Sequence, residues 1–202
     1  MSLKDKSTVK VPLGMRHSWF FPILQEDENA HPKYDAKIDM GHAVKGYLAL
    51  TSVSAEIPGD DDIQLSIEKF ASGQLDVETT MSDLEVNAKL YGHSYTDENG
   101  EISSEQDAAA LGGYAFVEPI MKKDKKLVYR ASCFYKVQPI AGSEKQEADT
   151  KKGSEIAPKM NAVALKVLRD KSGAWRQRKD FESLDAADAW IDTIFPKASL
   201  PA

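Results

Sequence analysis

The chain reads as a mainly β protein, all-β or α+β, and most simply as an antiparallel β-sandwich with one internal and one C-terminal helix. Three observations predict this. Several segments alternate apolar and polar residues with period two, as a strand with one buried face does. Turn signals separate them at short intervals: Pro58-Gly59, Ala71-Ser72-Gly73, Asn99-Gly100 and the stretch 170–173. Residues 82–92 and 183–195 change to helical spacing.

Composition sets the frame. With 202 residues, 42% hydrophobic and 29% charged, the chain fits one globular domain over 1–202 that can bury about two-thirds of its unfolded surface. An N-terminal arm occupies 1–15, and long loops fall at 25–44 and 141–158. The net charge of −6 argues against wrapping nucleic acid, which needs a basic footprint. It still allows DNA to run past a repelling wall. Cys133 is the single cysteine, which excludes an intramolecular disulfide and fits a reducing compartment. The start, MSLKDKSTVKVPLG, lacks the apolar stretch of a signal peptide. No window approaches the ~20 apolar residues of a membrane helix. A soluble protein made in the cytoplasm, without a membrane partner, is expected.

The elements follow in order. Residues 16–24 (RHSWFFPIL) form a strand that Pro22 confines to an edge or an end. Residues 25–44 are polar and aperiodic, hence loop. Residues 45–57 are extended, with Tyr47, Ala49 and Thr51 opposite Leu48 and Leu50. Ile63, Leu65 and Ile67 alternate with polar residues, as do Leu75, Val77, Thr79 and Met81. Ala71-Ser72-Gly73 between them predicts an antiparallel hairpin. Ser82-x-x-Glu85 is a capping box that opens a helix carrying Leu84, Ala88 and Tyr91, and Gly92 closes it. Residues 103–111 add a short helical turn. Residues 113–121 are a strand, 122–126 a charged turn, and 127–140 the longest strand. One face of that strand carries Tyr129, Ala131, Cys133, Tyr135 and Val137. Residues 159–169, with Val163, Leu165 and Val167 inward, turn at 170–173 into 174–181 as another hairpin. The last helix bears the stripe Leu184, Ala187, Ile191 and Ile194.

The search for chemistry finds little. There is no phosphate loop, dinucleotide fingerprint or nucleophile elbow. His17, His31, His42 and His93 lack metal-ligand spacing. Cys133 reads as a small buried hydrophobe. No catalytic residue, cofactor or metal is expected, and two acids such as Glu118 and Asp124 are not singled out by any pattern. Asp60, Asp61 and Asp62 are consecutive, whereas calcium loops alternate their carboxylates. They read as a solvated turn or an acidic rim. Glu68, Asp76 and Glu78 share the polar face of the expected hairpin, either a wetted sheet face or a negatively charged lining. Trp19, Trp175 and Trp190 lie in separate elements, which suits core packing better than a sugar platform.

The series PGDDD at 58–62, SGQLDVE at 72–78, SDLEVNAKLYGHSY at 82–95 and GGYAFVEP at 112–119 resembles the major tail proteins of long-tailed bacteriophages. So do YRASCFYKV at 129–137, EADTKKGSEI at 147–156 and the stretch 170–191. The likeness covers roughly 45–195. The chain departs from it at IAPKMN, where the family usually has a Gln-Thr-Pro phrase. The resemblance implies a tail-tube β-sandwich, six subunits to a ring, and rings stacked into a tube. It implies a virion location, with tape-measure, terminator and distal tail proteins as further partners. DNA would pass through the lumen without sequence-specific binding, and the six acids above would line it, repelling phosphate. The polar loop 141–158, which carries Glu144, Lys145, Glu147, Asp149, Lys151, Lys152 and Glu155, has almost nothing apolar to bury by itself. It would order against a neighbouring subunit. The alternatives are a carbohydrate- or surface-binding module, which would need convergent exposed aromatics, and an enzyme, for which no nucleophile–base pattern is found.

Overall fold

A computed structural model describes residues 10–59, 62–143 and 160–198. The strands are β1 (Lys10–Pro12), β2 (Arg16–Gln25), β3 (Lys33–Tyr34), β4 (Ile38–Asp39), β5 (Ala43–Gly59) and β6 (Asp62–Thr79). After helix α1 (Leu84–Tyr91) come β7 (Ser94–Thr96), β8 (Gly100–Ile102), β9 (Gly112–Lys122), β10 (Leu127–Pro139), β11 (Asn161–Leu168) and β12 (Arg176–Phe181). Helix α2 (Leu184–Ile194) follows. The fold is mainly β and sandwich-like, as the alternation predicts.

One antiparallel sheet runs β3-β2-β9-β10-β11-β6-β5, with β1, β4 and β12 attached at its sides and β7–β8 forming a separate hairpin. The sheet bends over at β10. Its first part, residues 127–134, lies between β9 and β12, while residues 136–139 pair with β11. A register shift between Phe134 and Val137 makes the corner. The two halves face each other across an aromatic and aliphatic core. Phe20, Tyr114, Phe116 and Phe134 meet Leu75, Val77, Val163, Leu165 and Val167 there. On the opposite side of β2, β9 and β10, a second compartment gathers Phe21, Tyr34, Ala115, Val117, Ala131 and Cys133 under Ala187, Ile191 and Phe195. The central strands are therefore buried on both faces, and α2 is a third layer.

The helices form where their sequences can satisfy their own ends. Asp83, not Ser82, caps α1: its carboxylate accepts from the backbone N–H of Glu85 and Val86. The reciprocal capping box expected at Ser82 and Glu85 does not form: Val86 stands three residues after the cap, and Asp83 acts as a simple N-cap, a carboxylate being a stronger acceptor beside a helix N-terminus than a hydroxyl. Gly92 closes the helix at φ 78°, as expected. Ser183 caps α2, and its stripe lies as predicted, with Ala187 and Ile191 buried.

Several pairings differ from the sequence reading. Ala71-Ser72-Gly73 is not a turn. β6 is continuous through it, and Ala71 is the extra residue of a bulge between the pairs Thr51–Ser72 and Ser52–Phe70. The true hairpin is β5–β6, whose last pair among the described residues is Gly59–Asp62. The 170–173 turn exists, but β11 and β12 do not pair. They abut the same edge of β10 end to end. Residues 25–44 are not all loop, since β3 and β4 flank β2 there. β2 is accordingly an inner strand, and Pro22 sits where its ladder with β9 ends, opposite Gly112. Residues 103–111 carry a turn rather than a helical segment. The bend in β10 sends Val137 to the first core, whereas Ala131 and Cys133 face α2.

Candidate functional site

The dominant surface feature is the β5–β6 ribbon. β5 pairs with β6 alone, so its outer edge carries no strand among the described residues. β6 pairs with β11 only over Gly73–Thr79. Beyond Phe70, which stacks on Trp175 at 4.5 Å between ring centroids, the ribbon leaves the body with both edges open. Residues 49–56 and 66–69 are exposed on both faces. Tyr47 is 63% exposed and Val53 58%, and Val44, Leu50 and Ile67 are also uncovered. An isolated two-stranded hairpin is marginal in water, and long open edges with apolar side chains are templates for strand addition.

The predicted acidic lining divides. Asp76 lies opposite Tyr47, and Glu78 opposite Lys45, on the outward face. Lys45 Nζ is 3.6 Å from Glu78 and so offsets part of that charge. Gln74 donates to Asp76 at 2.8 Å. These residues rim a depression of about 490 Å³ with Ser143 and Ala162. Glu68 does not join them. The bulge at Ala71 reverses the alternation, and Glu68, opposite Ser54, falls on the face of Phe70 and the core. Asp62 pairs with Gly59 in the backbone. Asp60 and Asp61 lie outside the described residues, as do Glu144, Lys145, Glu147, Asp149, Lys151, Lys152 and Glu155. The described ends of that loop meet at the β10–β11 ladder, where Ile140 N–H donates to Ala164 O at 2.8 Å.

A second edge is that of β12, which pairs only with β10. Arg130, Trp175, Arg176, Arg178, Lys179 and Asp180 line a cleft of about 680 Å³ there. Arg130 grips Asp180 with Nε at 2.7 Å and a second nitrogen at 3.1 Å, and Lys10 adds a contact at 2.9 Å. These cations hold the Asp180 carboxyl at about 2, below its ordinary value. Burial pushes neighbouring Glu118 up, against the pull of Arg130, Arg178 and Arg176.

His17, His31 and His93 serve as structural clips. His31 Nδ1 lies 2.6 Å from the buried carboxylate of Asp170, and its ring stacks on Tyr135 at 4.1 Å. Ser172 Oγ is 3.4 Å from the same Nδ1 and donates to Asp170 at 2.7 Å. In a hydrolytic triad the hydroxyl and the acid address opposite nitrogens of the ring. Here both sit at one nitrogen, and Asp170 also receives the backbone N–H groups of Ser172 and Ala174. The trio therefore scaffolds the 170–173 turn. It was invisible in sequence because His31 and Asp170 are 139 residues apart. His93 Nδ1 meets Glu101 at 2.6 Å, and Asn87 donates to the same carboxylate. Cys133 is fully buried, and burial pushes its thiol far up. Among the described residues no group of three or more His, Cys, Asp or Glu could hold a metal ion, and no helix is long and apolar enough to cross a membrane. No protein-family model matches the chain, and no curated protein matches it, so the functional reading rests on the open edges, the ribbon and the resemblance carried by the sequence phrases.

Proposed function

We propose that the chain is a structural subunit that assembles with copies of itself, as hexameric rings stacked into a phage tail tube through which DNA leaves. The observation that carries the reading is the ribbon: among the described residues about half its length has no partner beyond its own two strands, and it has two free edges and uncovered apolar side chains. Folding alone gives such an arm little return. Pairing with a neighbour would satisfy its backbone groups and cover Tyr47, Leu50 and Val53. The β12 edge offers a second place for a neighbour. Asp76 and Glu78 are the residues best placed for an acidic lumen wall, since they share an outward face. Trp19, Trp175 and Trp190 lie in different parts of the core margin, which does not favour the sugar-binding alternative. The virion tail, with tape-measure, terminator and distal tail proteins as partners, follows from the same reading. Sedimentation velocity and negative-stain imaging across a wide range of protein concentration test it. Rings or hollow rods of uniform width are expected; a solitary subunit at every concentration would end it.

A further inference from the structure

The β12 edge presents backbone groups and charge from the same residues. Tyr135 N–H donates to Trp175 O at 3.2 Å, and the register continues through Cys133–Gln177 and Ala131–Lys179. An antiparallel ladder alternates residues that bond across the pair with residues that turn their backbone groups away. Gln177 and Lys179 therefore bond to β10, while Arg176, Arg178 and Asp180 turn N–H and C=O outward. Among the described residues no strand meets that edge.

The side chains of Arg176 and Arg178 line the cleft with Arg130, and Arg176 is braced over the Trp175 ring at 4.4 Å. Two carboxylates oppose them. Asp180 is held by Arg130 and Lys10. Glu118 faces Arg130, Arg178 and Arg176 and is shared among the three. Against these acids stand Lys10, Arg130, Arg176, Arg178 and Lys179, so the edge stays positive. Burial, and then Arg178, lower the Arg176 guanidinium despite the pull of Glu118.

Such an edge repels a second copy of itself and admits a strand of opposite charge. Phosphate could meet the guanidinium groups, but it has no donor for the outward carbonyls. A peptide satisfies both the carbonyls and the N–H groups, and its carboxylates match the guanidinium fork. We propose that the β12 edge receives an extended acidic segment of a partner protein, added as a strand, with acids two residues apart set against Arg176 and Arg178. Opposite Asp180 the partner needs an uncharged or basic residue. The inference does not rest on self-assembly, and it is tested on the dilute chain.

The probe is a capped, dye-labelled Thr-Thr-Glu-Thr-Glu-Thr-Thr peptide, titrated into the full-length chain and read by fluorescence anisotropy. R178E, at an exposed position, should weaken binding by about tenfold or more while keeping the wild-type circular dichroism, and R178Q should fall between. Added salt should weaken binding too. Methylating every second backbone nitrogen of the peptide gives two forms. One should lose binding and the other keep it, because a strand pairs through one edge only. No binding by the wild type, equal binding to R178E, or like behaviour of the two methylated forms overturns the proposal. Displacement of the peptide by oligothymidylate at lower concentration assigns the cleft to phosphate and also overturns it.

Discussion

Single residues carry disproportionate weight where the backbone is constrained. Gly92 ends α1 at φ +78°, and a Cβ there would collide with the carbonyl oxygen of Ala108. Gly92→Ala should cost about 2 kcal/mol or more, since left-handed geometry and a backbone clash both penalise it; urea unfolding reads the loss. Asp180 behaves differently, because its contribution depends on charge. Its carboxyl is lowered from 3.8 to about 2 in the folded state. A depressed acid stabilises the fold fully above the unfolded value and loses that contribution as pH falls toward the folded one. Asp180→Asn should therefore weaken the fold near pH 7 and make progressively less difference between pH 4 and 2. The side chain is 31% exposed, so solvent screening limits the effect to about 1 kcal/mol. Stability curves of the two proteins at several pH values check the convergence.

At the scale of elements, the ribbon and the body should differ in dynamics. Among the described residues Ser52–Glu56 and Ser66–Lys69 pair only with each other and are exposed, whereas β9 and β10 are buried on both faces. In the dilute chain, hydrogen exchange should be fast over these ribbon segments and slowest in β9 and β10. Protection of the ribbon should rise with protein concentration. Equal, slow exchange throughout the dilute chain would mean that the ribbon is already supported. The elements were largely legible from sequence, because alternation and helical spacing report burial directly. Leu75, Val77, Val163, Leu165 and Val167 all face the core as their period requires. Pairing was less legible, since period two names a face but no partner. Ala71-Ser72-Gly73 has turn composition, yet the chain uses it as a bulge, which placed Glu68 on the wrong face in the sequence reading. The β12 cleft was missed because Arg130 joins Arg176 and Arg178 only through strand pairing across some fifty positions.

For the molecule as a whole, the arrangement is a sandwich with a helix over one face and a projecting arm. Apart from the local β9–β10 hairpin, the ladder β2-β9-β10-β11-β6 joins segments remote in sequence. The single strand β10 borders β9, β11 and β12 and lends side chains to both apolar compartments. Thermal denaturation followed by near-ultraviolet dichroism and by tryptophan emission should therefore give coincident curves; separated midpoints would mean that one compartment survives without the other. The same bend has an engineering corollary. Insertion of a foreign segment has room at the exposed 123–126 turn between β9 and β10, but a cut through Phe134–Val137 would leave neither half with a wall to fold against.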